Sequence, residues 1–153
     1  MRFELIDRVL WQDAHRIVAV KCLSTAEEYL ADHFPCFPVL PGVLMLELFV
    51  QAGRRLLSDR DTSNSQDTAG GPWILAEARN IRYSGMVRPG QSLRVDVKLR
   101  RQDESGWELE GVGTVEDKIA VQGRFRLVPL SDQQVNWQMS AQRNGVSQDG
   151  DER

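Results

Sequence analysis

Residues 33–53, HFPCFPVLPGVLMLELFVQAG, hold the two side chains best suited to moving protons. His33 precedes a proline-rich loop, and an imidazole with its ordinary pKa of about 6.5 can exchange a proton at neutral pH. Glu47 lies in an apolar run, where a bare carboxylate is costly, so desolvation favours its protonated form and a role as general acid. Each also has a simpler interpretation. His33 could be a capping or packing residue, and Glu47 could be the ion-pair partner of Arg54 or of an arginine on a sheet, or could lie in a solvent-facing notch.

The segment between these two residues is stiff and ends at a helix start. Pro35, Pro38 and Pro41 recur at every third position, and each fixes its own φ and restricts the residue before it. The start at Pro41-Gly42 leaves backbone N–H groups without intrahelical acceptors, at the positive end of the helix dipole. Because Gly42 has no side chain, a polarised carbonyl oxygen could approach these groups closely.

The elements that must position these residues follow from hydrophobic periodicity. Alternation predicts six antiparallel strands, and residues 41–57 form a long helix that is apolar around almost its whole circumference. Thr25 and Glu28 match a capping box for a short helix over residues 26–31, just before His33. The economical packing is an α+β fold in which a curved sheet wraps the helix. The predicted strands cover residues 3–11, 16–23, 73–87, 92–101, 107–115 and 119–128.

The domain organisation is simple. Residues 1–130 are predicted to form a single domain, interrupted by a polar, mobile surface loop at 58–72. Residues 131–153 have little apolar content and are expected to be a disordered tail.

Composition excludes several classes of function. A net charge of −3 gives no bulk attraction to nucleic acid, and the longest apolar run is too short for a membrane span. The N-terminus is charged at Arg2 and Glu4, unlike a secretory signal, so we expect a cytoplasmic protein. Cys22 and Cys36 have no metal-site spacing with the two histidines, and we expect neither a metal nor a cofactor.

The segment resembles the active-site motif of the β-hydroxyacyl-acyl carrier protein dehydratases, which have the hotdog fold. The resemblance rests on His33-Phe34-Pro35, on Pro38 to Leu44, on Glu47 fourteen residues after the histidine, and on Gln51-Ala52. Weaker similarity extends over about residues 3–130. It implies a hotdog fold, in which a curved sheet of about six strands wraps one central helix.

The resemblance also implies roles for residues of this chain. His33 would remove a proton beside the thioester carbonyl, and Glu47 would help the β-hydroxyl leave as water. Gly42, Val39, Val43 and Gln51 would form the oxyanion and substrate-binding part, with the Val39 carbonyl orienting the imidazole. Family members are homodimers, or assemblies of dimers, whose sites are shared between subunits. Their acyl carrier protein is acidic, so the candidate docking residues are Arg79, Arg82, Arg88, Lys98, Arg100 and Arg101.

The chain departs from the family pattern at Asp32 and Cys36, where glycine is usual. The expected activity is dehydration of a β-hydroxyacyl thioester in fatty-acid or related lipid synthesis. Two alternatives stay open at this point. One is another hotdog thioester enzyme, such as a thioesterase or isomerase, and the other is a non-catalytic acyl-thioester binding or partner subunit.

Overall fold

The computed structural model of the chain describes residues 3–63 and 72–130. One α-helix and six strands make up its regular structure, together with a 3-10 helix at Glu28–Leu30. The elements are β1 (Arg8–Gln12), β2 (Arg16–Cys22), α1 (Gly42–Ser63), β3 (Trp73–Tyr83), β4 (Ser92–Asp103), β5 (Gly106–Val115) and β6 (Lys118–Pro129).

All six strands belong to one antiparallel sheet in the order β1-β2-β4-β5-β6-β3, which leaves β1 and β3 at its edges. Helix α1 packs against the sheet, and their facing side chains form one core. Phe49 of α1 and Phe125 of β6 stack there with ring centroids 6.2 Å apart. Glycines on β5 make room for α1, since a Cβ at Gly111 would lie only 2.6 Å from the Phe49 ring. This is the helix-in-sheet arrangement expected from the sequence, and it confirms the hotdog fold.

Helix α1 differs from its prediction at both its end and its surface. It continues to Ser63, six residues beyond the predicted end at Leu57, and the Ser58 hydroxyl donates to the Arg54 carbonyl within it. Each added helical residue gains a backbone hydrogen bond, which outweighs the turn preference of single residues such as Ser58. The helix is also not covered on nearly all sides, because Val43 is 72% exposed on a strip that the sheet does not reach.

The N-terminal part also differs from its prediction. Strand β1 begins at Arg8 rather than Phe3. The 3-10 helix has no side-chain cap, so the predicted capping box is wrong. Instead, the buried Lys21 ammonium pairs with Glu27 at 2.6 Å and with Asp7 at 3.4 Å. Because a buried charge requires partners, these contacts hold the segment before β1, at Asp7, and the segment after β2, at Glu27, more strongly than a local cap would.

Two predicted features fall outside the described residues, namely most of the loop at 58–72, from residue 64 to 71, and the tail at 131–153. Residues 58–63 of that loop are helical. Within the described ranges, none of the helices combines the length and the apolar character that crossing a membrane requires.

Candidate active site

The loop that carries His33 is closed by its own hydrogen bonds. The Val39 N–H donates to the His33 carbonyl at 3.0 Å, and Phe34 and Phe37 exchange backbone hydrogen bonds of 3.2 and 3.0 Å inside this ring. The adjoining Leu40 N–H donates to the Val87 carbonyl at 2.8 Å. The proline-rich loop is therefore held by hydrogen bonds within itself and by a hydrogen bond to the segment before β4.

The imidazole of His33 is oriented by the same loop. Its Nδ1 lies 3.2 Å from the Val39 carbonyl oxygen. Because a carbonyl oxygen can only accept, Nδ1 carries the hydrogen, and a neutral ring then has its lone pair on Nε2. The Phe34 ring stacks on the imidazole with centroids 4.3 Å apart. The contact predicted for Val39 is thus present, and it leaves Nε2 available as a base.

Gly42 begins α1, one residue after the predicted start at Pro41, and a side chain from β3 lies over it. A Cβ on Gly42 would come within 3.0 Å of the Tyr83 ring. Partial burial raises the pKa of the Tyr83 phenol, so this group stays neutral and can donate a hydrogen bond at physiological pH. Tyr83 lies about forty residues from Gly42 along the chain, and no local sequence pattern predicts the contact.

Glu47 is not buried in the single chain, contrary to the prediction, and its side chain is 33% exposed. The exposed strip of α1 that begins at Val43 continues through it. One carboxylate oxygen, Oε1, accepts a hydrogen bond of 3.0 Å from Gln51 Nε2 and lies 3.6 Å from Arg54 Nη1. The ion pair with Arg54, one of the two interpretations offered by the sequence, is therefore present. The other oxygen, Oε2, accepts no hydrogen bond within the described part of the chain.

Both the nitrogen and the oxygen of the Gln51 side-chain amide form hydrogen bonds with the protein. Its Nε2 donates to Glu47 and, at 3.0 Å, to the Phe3 carbonyl, while its Oε1 accepts from the Leu5 N–H at 2.8 Å. The N-terminal segment thereby lies against the helix face that carries Glu47. A substrate-binding role for Gln51 stays a prediction, and in this structure its contacts hold Glu47 and the segment over residues 3–5.

His33 and Glu47 lie in separate hydrogen-bond networks, and no bond joins them across residues 3–63 and 72–130. A groove runs along the outer side of the His33 loop, but neither residue lines it. Its walls are Thr25, Ala26, Glu27, Glu28, Leu30, Ala31, Pro35, Pro38 and Pro89. The described part of the chain therefore supplies both chemical groups without a hydrogen bond between them.

The six basic residues proposed for carrier docking are all exposed, but they do not form one patch. Arg79 and Arg82 lie on β3, which is separated from β4 by β5 and β6. Two of the six have acidic neighbours: Arg79 pairs with Glu77 at 2.6 Å and Arg100 with Glu110 at 3.2 Å. The remaining members are Lys98 and Arg101 on β4 and Arg88, which lies before that strand.

Arg88 is the residue among these six whose guanidinium stacks on the His33 loop. Its guanidinium carbon is 4.3 Å from the centroid of the Phe37 ring, a cation–π distance. The Arg88 N–H also donates to the Gln91 side chain at 2.9 Å, which fixes the turn before β4. The sequence predicted six candidate docking residues without ranking them. The stacking contact with Phe37 distinguishes Arg88 from the other five.

No group of three or more histidine, cysteine, aspartate and glutamate side chains in the described ranges is placed to hold a metal ion. Cys22 and Cys36 are both exposed and free.

Comparison with known proteins places this geometry in a family context. The FabA-like domain family matches residues 1–124. The 3-hydroxyacyl-acyl-carrier-protein dehydratase FabZ of Caulobacter vibrioides is 36% identical over 124 residues, which cover 80% of this chain and 76% of the relative. FabZ of Geobacillus thermodenitrificans is 33% identical over 135 residues, covering 88% of this chain and 89% of the relative.

Among solved structures, the dehydratase heterocomplex ApeI:P of Xenorhabdus doucetiae aligns with a TM-score of 0.69 at 20% identity, covering 89% of each chain. A variant of the fluoroacetyl-CoA-specific thioesterase FlK aligns with a TM-score of 0.65 at 12% identity, covering 86% and 97%. The two structural matches share the fold.

Proposed function

Because the chain belongs to the FabA-like family and is related to the FabZ 3-hydroxyacyl-acyl-carrier-protein dehydratases, we propose that it dehydrates a β-hydroxyacyl thioester carried on acyl carrier protein. The product is the trans-2-enoyl thioester, made in fatty-acid or related lipid biosynthesis. The observation that carries the proposal is the bond from His33 Nδ1 to the Val39 carbonyl, since it leaves an oriented Nε2 free to act as a base.

The reaction begins with a proton transfer to His33. Nε2 accepts a proton from the carbon beside the thioester carbonyl, and the electron pair of that C–H bond becomes the new C=C bond. The stacked Phe34 ring and the closed loop hold the imidazole in one orientation. Positioning of this kind lowers the barrier, because the base need not be ordered during the reaction.

Glu47 completes the elimination as the general acid. Its Oε2 donates a proton to the β-hydroxyl as the C–O bond breaks, and water leaves. The proton taken up by His33 afterwards returns to Glu47 through solvent, which restores both groups. The support for this role is that Oε1 is already held by Gln51 and Arg54, while Oε2 is available.

The N–H of Gly42 stabilises the negative charge that develops on the thioester oxygen. It lies at the positive end of α1, which is 22 residues long, and the absence of a side chain allows close approach. A preorganised donor of this type is worth several kcal/mol in the transition state. Val43, which follows Gly42, and Val39, three residues before it, form the nearby wall for the substrate.

The site is shared between two copies of the chain in a homodimer. The support is the separation of the His33 and Glu47 networks, together with a sheet edge and an exposed apolar strip on one side of the molecule. Edge strand β3 offers unpaired backbone groups to a second strand. This apolar strip shares Val43 with the exposed strip of α1 and otherwise consists of Tyr83, Met86 and Ile119. All four side chains are exposed in the single chain. Such strips mark protein interfaces.

Sedimentation analysis tests the dimer. Val43→Glu places a charge on the strip, and we expect a monomer without dehydratase activity. Leu10→Glu makes the same kind of change at an exposed apolar residue on the opposite edge strand β1, and it should leave both dimer and activity unchanged. A Val43→Glu protein that remains a fully active dimer would rule out this interface.

Acyl carrier protein docks beside Arg88, which is the residue among the six basic candidates whose guanidinium stacks on the His33 loop. Charge reversal at Arg88 should raise KM for the carrier-bound substrate and leave KM for a coenzyme A thioester unchanged, since only the carrier protein contacts this surface. The proposed compartment is the cytoplasm.

The proposed function is tested by turnover of a 3-hydroxybutyryl thioester on acyl carrier protein. His33→Ala and Glu47→Gln should each lower kcat by about 10² to 10⁴, the usual contribution of a positioned acid or base. His15→Ala and Glu28→Gln, at exposed residues of the same types, are the matched controls and should be active. Near-normal turnover in either site variant would overturn the assignment. Product analysis separates the open alternatives, because a thioesterase releases the free acid and a binding protein gives no product.

A further inference from the structure

We propose that Arg54 is a positioning residue that selects which oxygen of Glu47 carries the reacting proton. The inference rests on the proposed function, since it assumes that Glu47 acts as the acid. Arg54 lies outside the segment that resembles the family motif, which ends at Gln51-Ala52.

Three residues on one face of α1 form the unit. Glu47, Gln51 and Arg54 are spaced by four and three positions, which places them in line along the helix. Gln51 Nε2 and Arg54 Nη1 both approach the same oxygen of Glu47, Oε1, at 3.0 and 3.6 Å. Both contacts approach the carboxylate from the C-terminal side of the helix, and both meet Oε1.

The guanidinium of Arg54 is itself fixed by the sheet. Its Nε donates to the Trp73 carbonyl, at the start of β3, with a distance of 2.7 Å. Arginine suits this task because its planar fork can direct separate N–H groups at two acceptors. The orientation of Glu47 on α1 is thus tied to the first residue of β3.

This arrangement has a consequence for the location of the proton. A proton on Oε1 would point at the N–H groups of Gln51 and Arg54, so the neutral acid carries its proton on Oε2. When that proton passes to the leaving hydroxyl, the charge left on Glu47 lies beside a guanidinium cation. Arg54 therefore stabilises the carboxylate that forms, and it assists proton donation without touching the substrate.

The test compares two neighbouring arginines of α1. Arg54→Met should lower kcat about tenfold or more with KM changed less than twofold, because a misdirected acid slows the chemical step and leaves binding intact. Arg55→Met is the matched control: Arg55 also has an acidic partner, Glu4 at 3.8 Å, but it has no contact with Glu47. A kcat for Arg54→Met within twofold of the control would overturn the proposal.

A double-mutant cycle separates positioning from a structural effect. In a Glu47→Gln background the acid is absent, so Arg54→Met should cause no further loss of the residual single-turnover rate. A full additional loss would show that Arg54 acts through the fold, for example through Trp73, and would overturn the inference.

The two proposals fail in different ways. If Glu47→Gln retains normal turnover, the assigned acid is wrong. If Glu47→Gln is inactive and Arg54→Met is fully active, only the role of Arg54 is wrong. Should Arg54→Met not fold, Arg54→Lys keeps the charge and the apolar stem but lacks the fork, so it should also lower kcat, and unchanged kcat in that variant would overturn the proposal.

Discussion

Gly42→Ala should separate stability from activity at the start of α1. The added Cβ would lie 3.0 and 3.1 Å from two carbons of the Tyr83 ring, short of an ordinary carbon contact by about 0.5 Å. The ring is half exposed and can move away, so the steric cost is small. Replacing glycine in the middle of a helix gains about 0.5–1 kcal/mol, and at Gly42, the first residue of α1, the gain is at most of this size. The free energy of unfolding should therefore change by less than about 1 kcal/mol.

The same methyl group crowds the Gly42 N–H, which we propose donates a hydrogen bond to the thioester oxygen. We expect kcat/KM to fall about 10- to 100-fold, equivalent to about 1.4–2.8 kcal/mol of transition-state stabilisation. The assay is enoyl thioester formation from a carrier-bound 3-hydroxybutyryl substrate, with urea unfolding measured on the same samples.

Two further variants identify the cause. Gly53→Ala introduces a methyl on the same helix at the same closest distance, 3.0 Å, but against core side chains, so it should alter stability and leave kcat/KM of the folded enzyme unchanged. Gly42→Ala combined with Tyr83→Ala removes the displaced ring. If crowding of the oxygen is the cause, activity should not recover in the double variant. A Gly42→Ala enzyme within threefold of wild-type kcat/KM would refute the role of this N–H.

Three other expectations concern the rest of the molecule. Gly111→Ala should destabilise the protein by about 1–3 kcal/mol in urea unfolding, because its Cβ would lie 2.6 Å from the buried Phe49 ring. Asp103 has its pKa held below the ordinary range chiefly by a hydrogen bond from Arg126, so it stabilises the fold at neutral pH and this contribution is lost as the pH falls below about 4. Asp103→Asn should accordingly have a lower Tm than wild type at pH 7 and the difference should shrink in acid, whereas a difference independent of pH would contradict the linkage. Asp32→Gly should leave kcat/KM within about threefold, because Asp32 is exposed and solvent screens its charge, and a larger change would show that it acts on the imidazole.

Much of the sheet could be predicted because its determinants are local. The alternation of apolar residues predicted a strand over 92–101 and the structure has Ser92–Asp103, and residues 119–128 became Lys118–Pro129. Turn-forming residues between strands fixed the hairpins. The end of α1 could not be found in the same way, because residues 58–63 favour turns individually and are kept helical by continuing the backbone hydrogen bonds.

The residues of the candidate site and two of its contacts, His33 with the Val39 carbonyl and Glu47 with Arg54, could be predicted, but its long-range contacts could not. The sequence identified His33, Glu47 and Gly42, and it offered Arg54 as a partner of Glu47. It could not predict that the Gln51 amide meets the backbone of residues 3 and 5, since such contacts join segments more than forty residues apart. The expected burial of Glu47 was wrong because periodicity shows that a helix is apolar, but not which strip the sheet leaves uncovered.

Mixing two inactive variants tests whether each active site is built from two chains. His33→Ala and Glu47→Gln are each expected to be inactive alone in the dehydration assay. When equal amounts are unfolded together and refolded, half of the dimers should be mixed, and each mixed dimer has one site with both His33 and Glu47. If the sites are shared between chains, about a quarter of wild-type activity should be recovered. A mixture as inactive as its components, or full activity of either variant alone, would contradict an acid/base site shared between two chains.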